Sequence, residues 1–444
     1  MTRGWSRDPA GGAWAAAAPG GGAPPAGEPP VRIESLAAGG DGVGRLGDGM
    51  AVFVPRTAPG DVVRPVRVRR HRRHAQAAAG TIVTPGPGRV EPRCLHVAQD
   101  DCGGCQWQHL GPAAQAAAKA RIVGDALRRL GKLDVADPEV VPSPRAFGYR
   151  ASVTLTVRRT PAGPVAGFHR AADAEVFRLR RCEIAREELN ALWAAIAPAL
   201  ETVPDGDDLR LKLRRAPGGS LHVITSGGRG PWSAAHALAD AAAGAGLAAT
   251  VWWVPARGAP RRVAGPAGER TVLAFEQVNP EVAVLLRGAV VAAVPADAGR
   301  VLDLYGGTGD VALALAGGAG RPGREVVLVE VDEEAARGAA SRAREASLRI
   351  EAVAARVEDV VERLLPADAV VVNPPRAGLA PAVCAALAAR PPARFIYVSC
   401  DPATLARDLR RLDADPARLA FTCYDMFPQT SHVETVAVLS VGEK

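Results

Sequence analysis

From residue 275 onward, short apolar runs alternate with stretches of helical spacing: VLDLYGG, EVVLVEVD, RIEAVAA, DAVVVNPP and RFIYVSC each lead into a helix-type segment. Runs that are apolar at successive positions must be covered on both faces, which helices on either side of a parallel sheet achieve. A doubly wound, Rossmann-like α/β domain is therefore predicted over 275–444. The closing runs RLAFTCYDMF and HVETVAVLSV have no helix pattern between them, so a terminal antiparallel hairpin is expected.

The preceding chain has other patterns. Residues 1–30 are dominated by Ala, Gly and Pro, which cannot bury enough surface to offset chain entropy, and disorder is expected there. Over 31–90, the β-type runs VRIESL, MAVFVPR, DVVRPVRVRR and AGTIVTP are separated by Gly- and Pro-containing turns, the pattern of a small barrel of oligonucleotide-binding type. The segment GGDGVGR (39–45), followed by AVFVPRTAPGDVV, resembles the TRAM domain of RNA-modifying enzymes. Between 91 and 274, a helical stretch at 112–130 precedes the strand-like ASVTLTV, LRLKLRR and GSLHVITS, predicting a mixed α+β central domain.

With 444 residues, 48% hydrophobic and 23% charged, the chain can form two or three packed domains. Pro and Gly interrupt the early apolar runs, so neither a secretory core nor a membrane span is expected, and a cytoplasmic monomer is the expectation. The net charge of +7 favours a polyanionic partner. RPVRVRRHRRH (64–74) concentrates that charge enough for several phosphate contacts if it lies on one face; a solvated strand edge is the alternative.

In VLDLYGGTGDV a strand runs into a Gly-rich turn and a helix, so a ligand can approach backbone amides closely. Glu330, at the end of the next strand, can accept hydrogen bonds from ribose hydroxyls, which suits an adenosine cofactor. Asn373 in NPPRAGL falls where open α/β sheets bind ligands, and FEQVN opens a helix from a polar start. Cys400 ends the run FIYVSC ahead of a helix whose dipole favours thiolate; by position alone it serves packing as readily as catalysis. Cys384 and Cys423 suit packing better. Addition of a thiolate to carbon 6 of uracil makes carbon 5 nucleophilic, and after methyl transfer a base must remove the carbon 5 proton. Glu434 in SHVETV is the candidate base.

FEQVN, LDLYGGTGD, VEVD, NPPRAGL, YVSCDPATLARDL and DMFPQTSHVETV follow the order and spacing of the RNA uracil-5 methyltransferase family, which the chain resembles from about residue 31 onward. The resemblance implies a class I domain using S-adenosylmethionine, with Gln277, Tyr305, Glu330 and Asn373 at cofactor-contacting positions and Asp310 beside them. It implies Cys400 as nucleophile and Glu434 as base. The chain departs from the family at Asn373, where many members have Asp, and at GGTG, where a Cys-Gly start is common.

Cys94, Cys102 and Cys105 form C-x7-C-x2-C, and Cys182 lies far downstream. Four thiols suit tetrahedral zinc or a 4Fe-4S cluster, and spacing alone does not separate them. The chain resembles the cluster-bearing 23S ribosomal RNA branch of the family, which implies a structural 4Fe-4S cluster and an RNA partner, 23S rRNA, with transfer RNA as the alternative. A non-catalytic RNA-assembly factor and a cytosine-5 enzyme are the competing readings. The latter is disfavoured because Asn373, Pro374 and Pro375 stand where such enzymes carry a Pro-Cys motif.

Overall fold

The computed structural model describes residues 28–441 except 174, 207–208, 269, 275 and 319–322. Most of the Ala-Gly-Pro tail and Phe275 of FEQVN lie outside the described residues. The chain forms two compact units. The first takes in the chain up to Gln115, Arg145–Val272 and Pro428–Ser431; the second takes in Ala116–Pro144, Leu273–Phe427 and the segment from His432.

In the first unit, β1 (Val31–Leu36), β2 (Gly42–Arg45), β3 (Ala51–Val54), β4 (Val62–Arg70) and β5 (Ala75–Thr84) close into a barrel in the order β1-β2-β3-β5-β4. Alternation puts Val31 and Ile33 inside and Arg32 and Glu34 outside, and Val52, Val54, Val63 and Ala77 complete the core. Gly44 is required where β1 and β2 meet, since a Cβ there would lie 2.5 Å from the Arg32 carbonyl oxygen. The basic run follows the exposed part of β4 and its turn, where irregular pairing and the positive φ of Arg67 break strict alternation.

Asp61, fully buried, accepts from the amides of Ala58 and Gly86 (2.7 Å each) and from Arg89 Nη2 at 2.6 Å. Burial alone would raise its pKa, but Arg89 and the two amides outweigh it and hold the carboxyl below its ordinary 3.8. Its stabilising contribution is therefore present above that value and lost as pH falls through the lower folded pKa. Asp61→Ala leaves Arg89, only 21% exposed, without its counter-charge. A loss of about 3–5 kcal/mol is expected in denaturant unfolding; a variant as stable as the parent would contradict this account of the barrel.

β6 (Glu139–Val141) belongs to the second unit. The first unit's other sheet comprises β7 (Ser152–Thr160), β8 (Gly163–Gly167), β9 (Leu209–Arg215), β10 (Leu221–Ser226), β11 (Ala249–Val254) and β12 (Arg261–Ala264), in the order β12-β11-β10-β9-β7-β8. Leu189, Leu192, Trp193 and Ile196 of the helix Glu187–Ile196 pack into its core beside Leu155, Leu211 and Val223.

The second unit's sheet comprises β6, β13 (Arg300–Leu304), β14 (Glu325–Glu330), β15 (Ile350–Ala354), β16 (Ala369–Val372), β17 (Arg394–Ser399), β18 (Leu419–Tyr424) and β19 (Glu434–Ser440). Their order is β15-β14-β13-β16-β17-β19-β18-β6. β13 to β17 are parallel, and β19 and β18 form the expected antiparallel hairpin. Most residues of β13, β14, β16 and β17 are buried, in keeping with their unbroken apolar runs.

The central domain expected over 91–274 is not kept whole: Ala116–Pro144 falls in the second unit, which resumes at Leu273. The helix Pro112–Ala126 and the π-helical turn Leu127–Gly131 belong, from Ala116, to the second unit. Val123, Leu127 and Leu133 pack with Leu405, Ala406 and Leu409, and β6 adds a strand beside β18. Fully buried Lys119 pairs with Asp425 at 2.5 Å and donates to the Phe427 carbonyl at 3.0 Å. No helix among the described residues is long and apolar enough to cross a membrane.

Candidate active site

The order of β13, β14 and β15 runs one way from β13, and β16 and β17 lie on its other side, so the chain reverses between β13 and β16. Ligands of open α/β sheets bind at the carboxyl end of such a reversal. Tyr305 follows β13, Glu330 closes β14, Asn373 follows β16 and Cys400 follows β17, so all four stand at one sheet edge.

The Gly-rich turn is tightly built. Tyr305 has φ +59°, a left-handed conformation rare for an aromatic residue, costing on the order of 1–3 kcal/mol and concentrated at functional sites. A Cβ on Gly306 would fall 1.9 Å from Leu328 Cδ1, so any larger residue there would have to displace that buried side chain of β14. Glu330 accepts from the amides of Gly307 (2.9 Å) and Asp332 (2.8 Å), which fixes its carboxylate beside the turn. Asp310 starts the following helix, Asp310–Gly317, and its carboxylate is held by Arg342 at 2.9 Å. Gln277 is half-buried on the segment entering the helix Pro280–Ala293. Fully buried Asn279 anchors that segment by donating to Ser143 Oγ (3.0 Å) and the Met426 carbonyl (3.3 Å).

Ser399 of β17 pairs with Thr435 of β19; Cys400 is the next residue after β17 and Glu434 the first of β19, so the two stand beside that pair at the same end of the strands. Cys400 is half-buried and Glu434 is buried. Burial and then the charge of Glu434 push the Cys400 pKa above its ordinary 9.0, against the opposing pull of Arg376. The expected lowering by the helix dipole is therefore not the net effect. Asp401 caps the helix Pro402–Arg411 itself, accepting from the amides of Ala403 and Thr404 at 2.9 Å, and its charge adds to the rise. Burial raises Glu434 to about 7, again opposed by Arg376. Cys384 and Cys423 are buried at 3% and 0% exposure, as packing residues are.

Sequence reasoning missed three residues here. Arg376 lends positive charge to both Cys400 and Glu434; its signal was a cation four positions beyond the end of β16. Asp303, 1% exposed within β13, accepts from the Ala312 amide at 3.0 Å, and burial pushes it to about 7. A carboxylate inside the apolar run VLDLY was a visible clue. Asp408, fully buried, accepts from the Leu379 amide (2.7 Å) and the Tyr397 hydroxyl (2.9 Å), which ties the NPPRAGL loop to β17.

In the first unit, Cys94, Cys102, Cys105 and Cys182 are 6–8% exposed and share one core. Burial pushes Cys102 up to about 11 and Cys105 to about 12, and the thiols' mutual repulsion adds to both. Arg56 holds the intervening loop, bonding Asp101 Oδ1 at 2.6 Å and the carbonyls of Val97 and Cys102 at 3.2 Å. Among the described residues, no three His, Cys, Asp or Glu side chains form a group that could hold a metal ion.

The TRAM domain profile matches residues 28–82, and the profile of the family described as tRNA (Uracil-5-)-methyltransferase matches residues 269–441. A 23S rRNA (uracil(1939)-C(5))-methyltransferase of Azoarcus sp. (strain BH72) is 34% identical over 92% of this chain and 99% of its own length. The chain belongs to the RNA uracil-5 methyltransferase family. An uncharacterized RNA methyltransferase of Thermosynechococcus vestitus is 33% identical over 93% of this chain and 98% of its own. The solved tRNA (uracil-54, C5)-methyltransferase of Pyrococcus abyssi, in complex with S-adenosyl-L-homocysteine, matches with TM-score 0.70 and 25% identity, covering 92% of this chain and all of that one. As a member of the family, the protein is an S-adenosylmethionine-dependent RNA uracil-C5 methyltransferase with an N-terminal TRAM barrel.

Proposed function

We propose that this protein methylates carbon 5 of a uridine in 23S ribosomal RNA, with Cys400 as nucleophile and Glu434 as base. The placing of Cys400 just past β17 and of Glu434 at the start of β19, both next to the Ser399–Thr435 pair and close enough for the Glu434 charge to reach the thiol, carries the assignment of roles. The named target of the Azoarcus relative supports ribosomal RNA. The Cys400 sulfur bonds to carbon 6 of the uracil, and the ring electrons gather at carbon 5. S-adenosylmethionine supplies an electrophilic methyl group when bound. With the new carbon–carbon bond formed, Glu434 takes the carbon 5 proton, and the electrons left behind expel the Cys400 thiolate and restore the double bond. Arg376 supplies positive charge to a site where both reacting groups are otherwise penalised for ionising.

The cofactor would rest against Gln277, Tyr305, Asp310, Glu330 and Asn373. The fit is supported by the strained Tyr305, the Cβ-free Gly306 and a carboxylate fixed at the strand end. Asn373 both donates and accepts hydrogen bonds, so it can hold a polar edge in place of the common Asp.

Cys94, Cys102, Cys105 and Cys182 would hold a 4Fe-4S cluster. The four thiols are buried in one core. The cluster's role would be to pin the loops on either side, since methyl transfer needs no electron.

Mass-spectrometric mapping of 5-methyluridine in ribosomal and transfer RNA, with and without this protein, tests the target. One uridine of 23S rRNA should lose its methyl group when the protein is absent, and a loss confined to transfer RNA would overturn the assignment. Iron and sulfide should each approach four per chain in anaerobically purified protein. Zinc in their place would overturn the cluster.

A further inference from the structure

A cleft of about 380 Å³ in the first unit is lined by Arg93, Arg145, Phe147, Arg181, Arg186 and three glutamates. Its walls are set by backbone bonds: the Gly148 amide donates to the Glu183 carbonyl (2.9 Å), Arg150 to Ile184 (2.9 Å) and Arg186 to Arg150 (3.0 Å). The Arg93 guanidinium lies over the Phe147 ring, 5.1 Å from its centroid, with Nε 3.2 Å from Glu183. One face is thus backed by the ring and one edge is held by a carboxylate, which fixes the plane. The side chain nevertheless remains 61% exposed, so its other face is available.

The charges around this platform do not cancel. Arg181 forms a two-pronged pair with Glu187 (2.9 and 2.6 Å), and Glu188 is taken by Arg215 at 3.0 Å. The lining itself carries four arginines and three glutamates, a net positive charge beside a flat guanidinium. Unstacked RNA bases bind on aromatic rings and on arginine planes, with cations on the flanking phosphates.

We propose that this cleft binds one unstacked nucleotide of the RNA substrate other than the target uridine. Its base stacks on the Arg93–Phe147 pair and its phosphate lies against Arg145 and Arg181. The proposal rests on RNA being the substrate.

The test uses the full-length protein, a fluorescein-labelled oligouridylate of about 12 nucleotides read by anisotropy, and methylation kinetics on a 23S rRNA transcript. Arg93→Lys keeps the charge and removes the plane, so it should weaken oligouridylate binding about fivefold or more. It should also raise KM for the transcript by a similar factor and leave kcat unchanged. Phe147→Leu should act in the same direction. Arg145→Glu should weaken binding and flatten its salt dependence. Arg93→Lys binding like the parent would overturn the proposal, because charge alone would then explain the cleft. Arg93 is exposed, so that variant decides the matter even if Phe147→Leu unfolds. Failure of the parent protein to methylate the transcript would instead count against the proposed target, with the oligouridylate measurement still readable.

Discussion

Cys400→Ala is expected to lose methyl transfer by about 10⁴-fold or more and to form no covalent adduct with RNA. Labelled-methyl transfer and denaturing gels of protein–RNA mixtures measure the two effects. The cause is the missing carbon–sulfur bond, without which carbon 5 is too weak a nucleophile toward a methyl sulfonium. Cys400 is half-buried at the end of β17, outside the sheet's apolar clusters, so its removal should leave folding and cofactor binding close to the parent's. Because burial and Glu434 raise the thiol's pKa, the thiolate fraction, and with it adduct formation, should increase as pH rises through the neutral range. An alanine variant with full activity would remove Cys400 from the mechanism.

Glu434→Gln should reveal the later step. Addition and methylation can still occur, but the carbon 5 proton has no acceptor, so a methylated covalent complex should accumulate. Turnover should drop by about 10²–10⁴-fold. Burial holds the parent carboxyl near 7, so a protonated Glu434 cannot accept a proton and turnover should fall as pH drops below that value. The effect on folding has the opposite direction. A raised carboxyl pKa means that ionisation costs stability as pH rises from the ordinary 4.5 through about 7, so the neutral glutamine variant should unfold no more readily than the parent at pH 8. Rapid turnover with no trapped complex would assign proton removal to another group.

The second unit's main architecture was legible because burial on both faces leaves a direct mark on sequence. Runs such as VLDLYGG and DAVVVNPP became β13 and β16, and the turns after them became the candidate cofactor edge. The barrel was legible for a related reason, since β1 shows the inside–outside alternation of a strand with one face in a core. The helix after Pro112 was recognised, but its allegiance was not. Helical periodicity shows that a face will be buried and says nothing about which partner buries it, and Leu405 and Leu409 lie nearly 300 residues away in the chain.

The candidate site divides in the same way. Cys400 and Glu434 were named from motif order, yet residues 34 positions apart come to stand beside one pair, Ser399–Thr435, only through the register of β17 against β19. Their ionisation was misjudged for Cys400, because a helix dipole can be inferred from a Cys-Asp-Pro sequence while burial, the Asp401 cap and the nearby Glu434 cannot. Arg376, Asp303 and Asp408 escaped notice because their importance comes from charge and hydrogen bonds supplied by distant segments. Sequence by itself determined the strand and helix pattern, the motif order and the chemical types at the sheet edge, all properties of local composition and spacing. Tertiary structure alone decided which groups face one another and how strongly burial opposes their charge, because both depend on contacts and solvent exclusion made by residues far apart in the chain.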